Sequence, residues 1–239
     1  MPDDFKGKLK RIRTRGPLAI KVYDNVKEAV IRGVFAPGTW LQEEQLTKAM
    51  GISRTPLREA FNRLQSEGLI QVIPRRGAYI VELSDIELIE LFEAREIVET
   101  TFFIRSVQNI KKDRIARFRE ELAQKDKEMQ ETKNEPELWD EKRKSYLKID
   151  RSLHDALIAA SGNHYWEKIY NNLRDRIEMY GNQISLDEKW FPVAIHDHYA
   201  IIDAILANKH DKAKNLMADH IGHVREGIIR IRNFKPESL

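Results

Sequence analysis

Seven histidines occur in this 239-residue chain, and all of them follow residue 153. Helical phase sorts them. In the stretch 192–207, Ile195, His198, Ile202 and Ile205 share one face, while His196 points to the other side with Ala200 and Asp203. In 211–233 the apolar stripe is Ala213, Leu216, Met217, His220, Val224 and Ile228, and His223 lies outside it with Asp219, Glu226 and Arg230. In 136–160 the inward stripe is Tyr146, Leu147, Asp150, His154, Leu157 and Ile158, which makes Asp150 and His154 i, i+4 neighbours. Asp150, His154, His198 and His220 are therefore expected to face inward, with His164 and His210 at the surface near helix ends. An unpaired buried aspartate costs on the order of several kcal/mol. A shared divalent cation would remove that cost. One carboxylate and three imidazoles suit Zn²⁺ first, with Ni²⁺ or Mn²⁺ as alternatives, and leave positions open for water or a ligand. The competing reading is a set of hydrogen-bonded core side chains.

Two arginines offer anion chemistry. Arg95 shares a stripe with Leu88, Leu91, Phe92, Phe102 and Glu99, so it either pairs with Glu99 one turn on or clamps the carboxylate of a bound effector. Arg176, near Leu173, Ile177 and Tyr180, is a second candidate. A metal-dependent hydrolase or lyase on the Asp/His set is one functional class, and a sensor of the ion itself is another. No nucleophile constellation and no obvious general base accompany the set.

The elements that would carry these side chains are helices. Ser84-Asp85 reads as an N-cap for a helix from Ile86 to about Asn109, followed by 112–131, 136–160, 164–185, 192–207 and 211–233. Breaks are expected near Lys111, Pro136, Gly162, Pro192 and Asn208. This is an all-α bundle of about six helices over residues 84–239. Residues 15–83 have a different grammar, with turn signals at Gly33, Pro37-Gly38, Gly51, Gly68 and Pro74-Arg75-Arg76-Gly77. Between them, Leu18, Val22, Val26 and Val30 mark one helix, 43–50 a second and 54–67 a third. Two strands follow around the Pro/Arg/Gly tip. Three helices and a hairpin form a winged helix-turn-helix, giving a mostly α chain with residues 1–14 as a basic arm.

In such a domain the third helix enters the major groove by its first turns. Gly51 ends the helix before it, Ser53 can cap it, and Arg54, Thr55 and Arg58 are presented away from Phe61 and Leu64. Pro56 is tolerated because first-turn amides have no acceptor to lose. Arginine suits bidentate contact with guanine, and the wing tip of Arg75, Arg76 and Gly77 can lay cations along phosphates or in the minor groove. Charge agrees with this division. Residues 1–83 hold 15 Lys and Arg against 9 Asp and Glu, leaving 26 against 29 of the chain's 41 and 38 for the remainder. With no cysteine, no signal-peptide run at the N-terminus and no spanning apolar stretch, a soluble cytoplasmic protein with no membrane partner is expected.

The stretch Pro37-Gly38-Thr39-Trp40-Leu41, Glu44 to Leu46, Gly51-Ile52-Ser53-Arg54-Thr55-Pro56-Leu57-Arg58-Glu59-Ala60 and Glu67-Gly68-Leu69-Ile70 resembles the winged helix of GntR-family bacterial regulators. The helical remainder resembles the FCD effector domain of the FadR subfamily. The resemblance implies a homodimer, a repressor in most cases, on a palindromic double-stranded operator. It places DNA contacts at Arg54, Thr55, Arg58 and Gly77, and a small organic acid effector in the bundle near Arg95. Asp150-x3-His154, His198 and His220 match the ligand pattern of metal-containing FCD domains. Glu44 departs from the fatty-acid-responsive member, which has a DNA-contacting arginine there, so that member's operator and acyl-CoA ligand do not carry over.

Overall fold

The computed structural model describes residue 9 and residues 18–185, 187 and 189–232, and it divides into two units, Met1–Ser84 and Asp85–Leu239. The basic arm expected at 1–14 lies outside the described residues apart from Leu9. In the first unit, α1 (Leu18–Ile31) is followed by β1 (Trp40–Leu41), α2 (Glu43–Met50), α3 (Arg54–Ser66), β2 (Ile70–Ile73) and β3 (Gly77–Ile80). Val22, Val26 and Val30 of α1 are fully buried, as are Leu57 and Leu64 of α3, with Ala60 and Phe61 beside them. Leu18, expected on the α1 stripe, is exposed, so the buried face begins one turn later.

The turn between α2 and α3 is made by Gly51 in the left-handed region (φ 70°, ψ 40°), its N–H donating to Thr47 O. Glycine enters that region without the Cβ penalty. Ser53 occupies the N-cap of α3 with extended backbone, but its hydroxyl makes no capping hydrogen bond. The sheet is antiparallel in the order β1-β3-β2, with Trp40 opposite Tyr79 and Gln71 opposite Tyr79 on the other side. β1 is the strand that hydrophobic alternation missed, because two residues carry no period.

The second unit contains α4 (Asp85–Thr101), α5 (Phe103–Asn109), α6 (Lys112–Glu131), α7 (Pro136–Ala160), α8 (His164–Ile184), α9 (Trp190–Leu206) and α10 (His210–Ile231). The helix expected over 86–109 is thus two, broken at Phe102 (φ −104°, ψ 13°). The indole N–H of Trp166 donates to Val98 O at 2.6 Å, one turn before the break. Phe102 in turn packs edge-on against Trp166. α9 starts at Trp190, two residues ahead of expectation, with Pro192 in its first turn where the missing N–H costs nothing. α10 packs against α9, α4 and α8, and α7 against α5, α6 and α8. Among the described residues no helix is long and apolar enough to cross a membrane.

Candidate metal centre and nucleic-acid interface

α7 carries Tyr146, Asp150 and His154 on one line of i, i+4 steps, and α9 and α10 bring His198 and His220 against it. The imidazoles of His154, His198 and His220 are all buried, each at 2–3% exposure, and present one ring nitrogen apiece within 4.8 Å of one another. His154 Nε2 lies 3.4 Å from His198 Nε2. Two ligands bound at Zn–N lengths of about 2.0–2.1 Å in a tetrahedron stand roughly 3.3–3.4 Å apart. Asp150 Oδ1 lies 2.6 Å from His198 Nε2 and 3.6 Å from His154 Nε2, yet is aligned for a hydrogen bond with neither. Nδ1 of His220 is likewise buried without a hydrogen bond. Converging lone pairs and an orphaned buried carboxylate oxygen fit a divalent cation. His196 is exposed and His223 half-exposed, as helical phase requires.

Electrostatics suit a cation. Burial works against the Asp150 carboxylate, but His198, His154 and His220 more than offset it and hold its pKa well below the usual carboxylate range. Burial, reinforced by His198, pushes His220 down to about 3, which leaves it a neutral imidazole at neutral pH. Burial also opposes a charge on His154, but the Glu99 carboxylate on its Nδ1 raises it overall.

Arg95 Nε is 2.6 Å from Glu99 Oε1, so the pair within α4 is formed, and Arg95 also lines a cavity of about 80 Å³ above the histidines. Asp150, His154, His198 and His220 line the same cavity with Tyr146 and Tyr170. Arg176 does not line it. Two residues along a helix turn through about 200°, and the arginine of α8 that faces the cavity is Arg174, in phase with Tyr170, Ile177 and Glu178. Arg151 of α7 is there too, paired with Glu178. Sequence reading missed Arg151 and Arg174, although the step of four from Tyr170 to Arg174 to Glu178 marks that face. It also missed Asp197, which lies 2.8 Å from His223 Nδ1 and 3.6 Å from His220 Nδ1.

In the first unit, Arg54, Arg58, Arg75, Arg76 and Gly77 border one open groove together with Gln42, Glu43 and Glu44. Thr55 is exposed beside Arg54 at the start of α3 but is not among the groove residues. The wing tip turns over Ile73 to Arg76, with Arg76 N donating to Ile73 O and Arg75 at φ 65°. Proline second and positive φ third is the pattern of a type II turn. Gly77 has φ 103°, and a Cβ there would lie 2.6 Å from Leu41 O. Its lack of a side chain therefore answers first to the close approach of β1. One pairing was not anticipated: Arg58 Nε meets Glu43 Oε1 at 3.0 Å and Oε2 at 3.2 Å.

A basic two-helix reader with a wing, followed by an all-helical bundle with a buried polar chamber, defines a regulator of transcription. Residues 18–80 match the family "Bacterial regulatory proteins, gntR family" and residues 90–223 match the FCD domain. The chain belongs to the GntR family of bacterial DNA-binding regulators, carries an FCD domain, and is a transcriptional regulator rather than an enzyme. It is similar to the HTH-type transcriptional repressor RspR of Escherichia coli, 25% identical over 90% of this chain and 91% of that protein. It is also similar to the gluconate operon transcriptional repressor of Bacillus subtilis, 27% identical over 80% of this chain and 77% of that one. The solved structure of Escherichia coli McbR/YncC shares the fold, with a TM-score of 0.73 and 19% identity over 90% of this chain and 99% of that chain.

Proposed function

We propose that this regulator is a homodimeric repressor released from a palindromic operator by a small carboxylate effector. Arg54, Thr55 and Arg58 read bases, and Arg75, Arg76 and Gly77 lie along the adjacent backbone. The observation that carries the sensing half is the buried chamber in which Asp150 and three histidines face Arg95. Asp150, His154, His198 and His220 hold a divalent cation, Zn²⁺ before Ni²⁺ or Mn²⁺. When bound, the ion supplies a Lewis-acidic anchor for a carboxylate oxygen. Arg95 orients the acid by charge-assisted hydrogen bonds, and the walls formed by Tyr146 and Tyr170 exclude water. Binding favours a state of the dimer in which the two reading helices no longer match the half-site spacing.

The cavity of about 80 Å³, against about 150 Å³ for a cavity that admits benzene, has room for a small acid. The relative named for a gluconate operon supports organic acids as the class. The cluster of His154, His198 and His220 supports a second reading, in which the ion itself is the signal.

The two readings separate in a thermal-shift screen of Zn²⁺-loaded protein against small mono- and dicarboxylic acids, since a ligand of the folded state raises the melting temperature. An acid that raises it and lowers affinity for a selected operator duplex supports the carboxylate reading. Zn²⁺-dependent DNA affinity with no acid active supports ion sensing instead.

A further inference from the structure

We infer that Glu43 is a positioning residue for base readout: it holds the edge of the Arg58 guanidinium so that its terminal nitrogens face DNA in one fixed orientation. This rests on the reading of Arg58 as a base-contacting residue given above.

Arg58 is 63% exposed at its side chain, and a long exposed arginine ordinarily samples many rotamers. Here its Nε lies 3.0 and 3.2 Å from the two carboxylate oxygens of Glu43, the first residue of α2. The guanidinium is a planar fork of five N–H donors. With Nε–H committed to the carboxylate, the two terminal nitrogens remain for a bidentate contact such as guanine O6 and N7. The contact also ties α2 to the reading helix α3 on the groove side.

A carboxylate in this place opposes general DNA affinity. Glu43 and Glu44 border the same groove as Arg54, Arg58, Arg75 and Arg76, where phosphates would come near. Glu43 therefore trades affinity for orientation, and its loss should move the two in opposite directions. Glu44 provides the comparison: it has the same charge on the same groove, is exposed, and makes no ion pair with Arg58.

The test is selection of binding sites from a random duplex library by the full-length wild type, Glu43→Gln, Glu44→Gln, Arg58→Ala and the Glu43→Gln/Arg58→Ala double variant. Non-specific affinity is measured in parallel on a fixed unrelated duplex at several salt concentrations, and thermal melts check folding. Glu43→Gln should bind the unrelated duplex more tightly while base preference at the positions lost in Arg58→Ala falls by about threefold to tenfold. Glu44→Gln should raise non-specific binding with base preference unchanged, and the double variant should match Arg58→Ala in preference. Glu43→Asp, which retains the charge on a shorter arm, should recover preference in part.

If Arg58→Ala leaves the selected motif intact, the reading of Arg58 fails and this inference with it. If Arg58→Ala alters the motif but Glu43→Gln and Glu43→Asp leave it as in wild type, the inference alone is overturned. A uniform loss of binding by both Glu43 variants with a lowered melting temperature also overturns it, by assigning Glu43 to the fold of α2.

Discussion

Glu99 Oε2 bonds Nδ1 of His154, the ring nitrogen that does not face His198. The same carboxylate meets Arg95 through its other oxygen. His154 is therefore fixed in orientation from behind, with Nε2 turned toward Asp150 and His198. Burial alone would raise the Glu99 pKa, but Arg95 and His154 overcome it and bring it down to about 2, so the group is a carboxylate at any physiological pH.

That relationship makes Glu99→Gln informative. Glutamine retains the shape and one acceptor but loses the charge that orients the imidazole. Removing such an outer partner typically costs about 10- to 100-fold in metal affinity. Zn²⁺ titration against a chromophoric chelator should show that loss. Unchanged affinity would mean that Glu99 serves only the Arg95 pair.

Metal content is the more direct check of the ligand set. His198→Ala and His220→Ala, followed by elemental analysis, should leave well below the wild-type metal content, whereas His196→Ala on the exposed side of α9 should retain it. Stripping the wild type with a chelator should lower its melting temperature, because an ion bound only by the folded state stabilises it by mass action. Full metal in both inward variants would sink the assignment.

The inward set was legible because it depends on phase within single helices. Asp150 and His154 are one turn apart on α7, and His198 and His220 lie on apolar stripes. What escaped depends on contacts between elements. Trp166, 64 residues away in sequence, packs edge-on against Phe102 at the break between α4 and α5, and nothing local to Phe102 announces the break. Arg176 was singled out for its apolar neighbours Leu173, Ile177 and Tyr180 and Arg174 was not considered, because which side of α8 faces the chamber is decided by the helices packed on it, α4, α7 and α10. In the winged helix the turn at Gly51 and the start of α3 at Arg54 were legible from turn chemistry. The Glu43–Arg58 pair was not, since 15 residues and a turn separate the partners.

The wing tip yields a prediction with opposite signs. Arg75 sits at φ 65°, a region that costs a non-glycine residue on the order of 1 kcal/mol. Arg75→Gly should relieve that strain and stabilise the first unit by up to about 1 kcal/mol, less the added freedom of glycine in the unfolded chain. It should also weaken DNA binding and reduce its salt dependence by about one ion if the guanidinium meets a phosphate. Denaturant unfolding and duplex titrations at several salt concentrations measure the two effects. A more stable variant with unaltered DNA affinity would remove Arg75 from the interface.

Glu67 supplies the pH dependence of the first unit. It caps the end of α3, where a carboxylate faces the negative pole of the helix. Burial also disfavours its charge, but Lys27 and the Tyr23 hydroxyl, bonded at 2.7–2.9 Å, together with Arg63, lower its pKa overall. A depressed folded value means that the contribution is present above the unfolded glutamate pKa of about 4.3 and is lost as pH falls through the folded value. Glu67→Gln should thus destabilise the unit by about 1 kcal/mol at pH 7, a figure reduced by the site's partial exposure. The gap between wild type and variant should narrow steadily below about pH 4. Melting curves of both proteins from pH 7 to pH 3 test this. A gap that stays constant across that range would show that the hydrogen bonds of Glu67 to Tyr23 and Lys27 work without its charge.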